Sequence, residues 1–193
     1  MRKIFAWIFF SSAFLFAEAD LWNSPADFQS QEVLQVMQIF AKTEKMHGSF
    51  KQKRFVPKID RTFESSGKYE ISAEDGIVFD TQKPFASKLE ISKTKIVQTF
   101  ADGSKSEMNA ADNAIFREIA KTFQAVFCGD TSAIQERFQA YFVSEKGKWN
   151  IGLTPKENAV KKAIATISLS GKKVLEKMEI VDGEGNILTY EFR

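Results

Sequence analysis

Few residues of this chain have the types and spacings that bond-making chemistry needs. His47 is the only histidine and Cys128 the only cysteine. Nucleophilic catalysis needs a base within hydrogen-bond reach of the nucleophile and a third group to orient it. His47, after Lys45-Met46 at the exit of a predicted helix, has no Ser/Asp pair near it that forms such a motif. One His and one Cys cannot assemble a zinc site of the usual kind. The carboxylates of Glu74, Asp75, Asp102, Asp182 and Glu184 stand beside glycines, where Asp and Gly serve turn geometry rather than acid–base work. Asp182-Gly183-Glu184-Gly185-Asn186 resembles a calcium loop superficially, but lacks the register and the closing Glu of an EF-hand, and reads as a hairpin turn. No catalytic residue, metal site or cofactor is predicted, and Cys128, after Phe127, is expected to be buried.

The chemistry left is that of apolar surface. Arg2 and Lys3 precede an apolar run from Ile4 to Phe16, and Ala17-Glu18-Ala19 follows, which is the layout of a cleaved secretory signal. The run is shorter than the roughly 20 residues a membrane span needs. A signal peptide at 1–19 and one domain over 20–193 are therefore expected, exported and soluble in the periplasm after cleavage near Ala19. Removing Arg2, Lys3 and Glu18 from the 27 basic and 25 acidic residues leaves 25 and 24. That balance offers no general field for nucleic acid. Fourteen of the 19 phenylalanines lie beyond the signal, at positions 28 to 192. Phenylalanine brings apolar area without a polar group that needs a partner, so it suits a dry core or a dry hydrocarbon cavity.

The elements that must position this surface follow from periodicity. Val33, Met37 and Phe40 recur at helical spacing after Ser30, so the pattern predicts a helix over 30–45 behind a loose lead-in at 20–29. Alternation then predicts strands around Tyr69 and Ile71, Ile77 and Phe79, Leu89 and Ile91, and Ile96 to Phe100, with turns at Glu74-Asp75-Gly76, Lys83-Pro84, Ser92-Lys93 and Ala101-Asp102-Gly103. An apolar stripe at Ile115 to Phe127 predicts a second helix over 113–128, ended by Gly129. Asp130 or Thr131 would cap a third, with Ile134, Phe138 and Tyr141 on one side. Strands resume at Trp149-Ile151-Leu153, Ala165-Ile167-Leu169, Met178-Ile180 and Leu188-Tyr190-Phe192. The fold class is mainly β (α+β): a single strongly curved antiparallel sheet of nine to eleven strands, curling toward a barrel that the 113–128 helix plugs.

Several segments carry a resemblance to the outer-membrane lipoprotein carrier (LolA) family. Phe50-Lys51-Gln52 resembles the family's Phe-x-Gln in its first strand, and Gly67 is read as opening a strand as the family's glycine does. Phe79 falls where the family has an aromatic residue, with Pro84 five further on, and Leu153-Thr154-Pro155-Lys156 after Trp149 resembles the family's Leu-Thr-Pro-Lys. The resemblance implies an unclosed β-barrel covered by helices acting as a lid, whose apolar cavity shields the acyl chains of a lipoprotein. It implies no cofactor and no catalysis, and a monomer that takes cargo from an inner-membrane ABC transporter to an outer-membrane acceptor. The chain departs from the family at Ala73, where an arginine often latches the lid, and at Ile77-Val78-Phe79, which lacks a polar middle residue. The stretch from Lys93 to Met108 is also shorter than in the family. These departures bear on the cargo, which is a lipoprotein or another acylated envelope compound.

The expected acyl-cavity residues are Phe50, Tyr69, Ile71, Phe79, Leu89, Ile91, Trp149, Ile151 and Leu153 from the sheet, and Phe116, Ile119 and Phe123 from the lid. A one-residue error in strand parity would turn a whole set outward. Two other readings remain at this point: a lipid- or lipoprotein-sensing or protein-interaction module on the same fold, and an exported hydrolase.

Overall fold

The computed structural model describes residues 20–41, 45–72, 75–109, 111–112, 121, 125 and 129–193. The signal-peptide call, Ala73, Cys128 and most of the predicted 113–128 helix lie outside the described residues.

Helix α1 spans Gln31–Ala41. Ser30 starts it: its Oγ accepts from the Val33 amide at 3.4 Å and its carbonyl from the Leu34 amide at 3.1 Å. Val33, Val36, Met37 and Phe40 form its buried stripe. Six strands follow: β1 (Lys45–Val56), β2 (Arg61–Ser72), β3 (Gly76–Lys83), β4 (Ser87–Ile91), β5 (Lys95–Phe100) and β6 (Lys105–Asn109). After α2 (Thr131–Arg137) come β7 (Phe138–Glu145) and β8 (Lys148–Pro155), a short α3 (Asn158–Lys161), β9 (Ile164–Gly171), β10 (Leu175–Asp182) and β11 (Ile187–Phe192). All pairings are antiparallel, in one sheet of order β6-β5-β4-β3-β2-β1-β11-β10-β9-β8-β7. The end strands β6 and β7 do not pair, so the sheet is unclosed.

Ring contacts measure how strongly the sheet curves. Phe79 on β3 and Tyr190 on β11 are three strand spacings apart, about 14 Å on a flat sheet. Their rings are nevertheless stacked with centroids 4.6 Å apart. Gly67 helps make the bend. It sits on the concave face between Phe50 and Thr81, at a shift in the β2–β3 register, and a Cβ there would collide with the backbone carbonyl of Asp80. Gly67 therefore lies mid-strand in β2 rather than opening a strand.

The predicted turns at Lys83-Pro84, Ser92-Lys93 and Ala101-Asp102-Gly103 fall between strands where the pattern placed them, and Gly76 of the 74–76 turn opens β3, while Glu74 lies outside the described residues. The 182–186 turn is also as read. One Asp182 oxygen accepts from the Glu184 and Asn186 amides, both at 2.9 Å, and the other from the Asn186 side chain at 2.7 Å, while Gly185 takes φ 82°. Burial alone pushes the Asp182 carboxyl up, but these hydrogen bonds and the Arg54 charge together hold it below the ordinary value. A depressed carboxylate contributes stability that is present above its unfolded pKa, about 3.9, and lost as pH falls through the folded value. Asp182→Asn should therefore cost about 1 kcal/mol at neutral pH and flatten the acid limb of a stability–pH curve measured by urea unfolding.

The first helix, expected over 30–45, ends at Ala41, and Lys45 already opens β1. Three further expectations are corrected. Helix α2 is short, capped by the Asp130 side chain on the Ala133 amide at 3.0 Å, and ends at Arg137. Phe138 and Tyr141 belong to β7 instead, because Phe138, Ala140 and Phe142 alternate against Pro155, Leu153 and Ile151 of β8. His47 lies within β1, opposite Glu70, and not at a helix exit. The lead-in is not loose: Pro25 bridges to Tyr141, the Ala26 amide donates to the Ala140 carbonyl at 3.0 Å, and the Phe142 amide donates to the Ser24 carbonyl at 2.9 Å. Residues 24–26 thus cover the β7 edge, which would otherwise present unpaired backbone.

Candidate ligand-binding face

The register settles which side chains share the concave face. Tyr69 pairs with Phe79 and Phe79 with Leu89, while Ile71 pairs with Ile77 and Ile77 with Ile91. Phe50 pairs with Phe192, and Ile151 and Leu153 pair with Leu169 and Ile167. The nine predicted sheet residues all point to this side and belong to one apolar cluster. Phe50, Tyr69, Ile71, Phe79, Trp149, Ile151 and Leu153 are buried within it, and Leu89 and Ile91 are half-buried against it. The predicted lid residues Phe116, Ile119 and Phe123 lie outside the described residues. Ala125 of the same segment is buried in the cluster.

The middle of the face is aromatic. Phe50 meets Phe79 edge-on at 5.3 Å and Tyr190 at 5.7 Å, and Tyr69 meets Phe192 at 4.8 Å. Tyr190 and Phe192, with Met178, Ile167 and Leu169, were missing from the predicted set although their strands had been read. Period-2 alternation carries them inward with their paired neighbours, and that signal was in the sequence. Helix α1 packs on the same cluster, with Phe40 edge-on to Trp149 at 5.6 Å. The Trp149 indole donates to the Lys172 carbonyl at 2.8 Å, so its one polar atom is satisfied.

The electrostatics of the face are those of an uncharged surface. Burial raises the phenols of Tyr69 and Tyr190 above the ordinary tyrosine value, so both stay neutral. Gln52 and Ser65 also stand on this side, where the Ser65 hydroxyl donates to the Gln52 side-chain oxygen at 3.0 Å. Among the described residues no group of three or more His, Cys, Asp or Glu is placed to hold a metal ion, and no helix is long and apolar enough to cross a membrane.

An unclosed antiparallel sheet, bent around an uncharged aromatic face and packed by a helix, defines the half-barrel class of α+β proteins. Within it, the chain belongs to the family described as outer membrane lipoprotein carrier protein LolA, whose model matches residues 41–193. No curated protein matches the chain. Solved structures similar to it include a DUF1329 family protein from Desulfovibrio piger ATCC 29098, at 9% identity and TM-score 0.42, covering 84% of this chain and 89% of that one. A LolA superfamily protein from Nitrosomonas europaea aligns at 7% identity and TM-score 0.42, covering 84% and 90%.

Proposed function

We propose that the protein is a periplasmic carrier that shields the acyl chains of a lipoprotein, or of another acylated envelope compound, against its concave face and delivers them toward the outer membrane. The observation that carries this reading is the continuous uncharged face from β4 through β1 and β11 to β8, on a sheet left open at one side. Each methylene withdrawn from water is worth about 0.8 kcal/mol, so two or three acyl chains require an extended apolar surface and little else. Release needs a cover of modest stability, a role for α1 and the 113–128 segment. Binding and release involve no bond-breaking step and no cofactor, and the protein acts as a monomer after removal of residues 1–19. In this reading an inner-membrane ABC transporter is the donor and an outer-membrane protein the acceptor.

Native mass spectrometry with lipid extraction, on protein purified from its own periplasm, tests this reading. The expected result is a bound mass that partitions into organic solvent as an acylated species. Empty protein that also takes up no added lipoprotein or fatty acyl probe would overturn it and favour a filled core with a protein-interaction role.

A further inference from the structure

Of the seven large apolar side chains exposed among the described residues, four lie at one end of the sheet, whereas Leu34, Met108 and Val174 lie elsewhere. Strands β1, β3, β5 and β10 run toward that end, so the β1–β2, β3–β4, β5–β6 and β10–β11 turns all lie there. The 57–60 turn carries Ile59, 56% exposed, and Phe63 follows it at 53%. The β3–β4 turn carries Phe85, 80% exposed, and Phe100 stands at the end of β5 at 43%. Phe63 pairs with Arg54, and Phe100 with Ser87, both in concave-face register, so this rim continues the apolar face outward.

The same rim is basic. Residues 51–64, 83–86, 101–105 and 182–186 hold seven Lys or Arg against Asp60, Glu64, Asp102, Asp182 and Glu184, a balance of +2. Lys53 meets Glu64 at 3.7 Å, and Lys58 meets Glu184 of the β10–β11 turn at 3.3 Å, both exposed pairs of little strength. Among the described residues, Arg61, Lys83 and Lys105 are in no ion pair.

We infer that this rim docks on the surface of an anionic phospholipid bilayer. Apolar residues at or near the tips of separate hairpins, with Lys58 next to Ile59 and Arg54 opposite Phe63, are spread over three hairpins rather than gathered in the single patch that a protein groove would fill. They fit a plane that offers apolar depth and negative charge at one level everywhere. The inference rests on the carrier reading for its purpose: docking here presents the concave face to the leaflet from which an acyl chain leaves or into which it passes.

Vesicle flotation tests the inference, using phosphatidylcholine with and without phosphatidylglycerol. The protein should float with the phosphatidylglycerol vesicles at low salt and lose about tenfold in partitioning at high salt or on phosphatidylcholine alone. Ile59→Ser with Phe85→Ser, and separately Lys58→Glu with Arg61→Glu, should each weaken flotation about tenfold or more while leaving the thermal melt and fatty acyl probe uptake unchanged. No flotation at low salt, or equal flotation of both variants, overturns the inference. So does binding to native envelope vesicles alone that protease treatment of the vesicles abolishes, because that outcome assigns the rim to a protein partner. Flotation without acyl uptake overturns the carrier reading and leaves docking in place; uptake without flotation does the reverse.

Discussion

Replacing Phe79 with Glu is expected to lower affinity for a fatty acyl probe by more than about a hundredfold at neutral pH. Phe79 is 5% exposed, stacked on Tyr190 and edge-on to Phe50 at the middle of the concave face. A carboxylate there meets only aromatic and aliphatic surface, and burying an unpaired charge costs several kcal/mol. Desolvation raises the pKa of such a group, so its neutral form becomes available as pH falls, and part of the lost affinity should return on mild acidification. Phe79→Leu, which keeps the apolar character, should retain uptake within about tenfold. The measurement is fluorescent acyl-probe titration at two pH values, with a melt at each to show the fold intact. Unchanged affinity in folded Phe79→Glu would remove the concave face from any role in holding acyl chains.

The second large effect is on stability. Trp149→Ala should lower the unfolding free energy by about 3–5 kcal/mol in urea denaturation. Trp149 is 3% exposed, ties β8 to the β9–β10 turn through Lys172, and receives Phe40 of α1 on its ring. Trp149→Phe keeps most of the apolar volume and should recover the greater part of that loss. A loss below about 1 kcal/mol for Trp149→Ala would mean that α1 is not held by this contact.

Much of this architecture was legible because half-buried strands write their parity into the sequence. Tyr69-Ile71 and Leu89-Ile91 alternate with outward Glu70 and Glu90, Trp149-Ile151 with Asn150, and Ile77-Phe79 and Ile151-Leu153 keep the same two-residue spacing around Val78 and Gly152; all nine chosen sheet positions face inward in the structure. Strand β7 was not legible. Ile134, Phe138 and Tyr141 satisfy helical spacing, while Phe138, Ala140 and Phe142 satisfy strand spacing over the same residues. Pairing with β8 decides between the two, and that is a tertiary fact. The β1–β2 hairpin was obscure for a different reason. Its outer part extends past the turn of β3–β4, so residues 57–64 are exposed on both faces and carry no alternation. Gly67 was singled out, but the backbone crowding that requires it lies across the β2–β3 register and is invisible in one strand.

The order of strands has a consequence for how the molecule is made. The centre of the sheet is the β1–β11 pair, where Phe50 stands opposite Phe192 across almost the whole described chain. Strands β1 to β6 form one hairpin series and β7 to β10 another, each from neighbours in sequence, and β11 joins them. During synthesis from the N-terminus the two halves can assemble locally, while their union waits for the last six-residue strand. Such non-local closure places folding in the slow range for small domains, on the order of milliseconds to seconds. Until then the aromatic residues at 50, 69 and 79 lack Tyr190 and Phe192, so the nascent protein exposes the very surface that the finished one encloses.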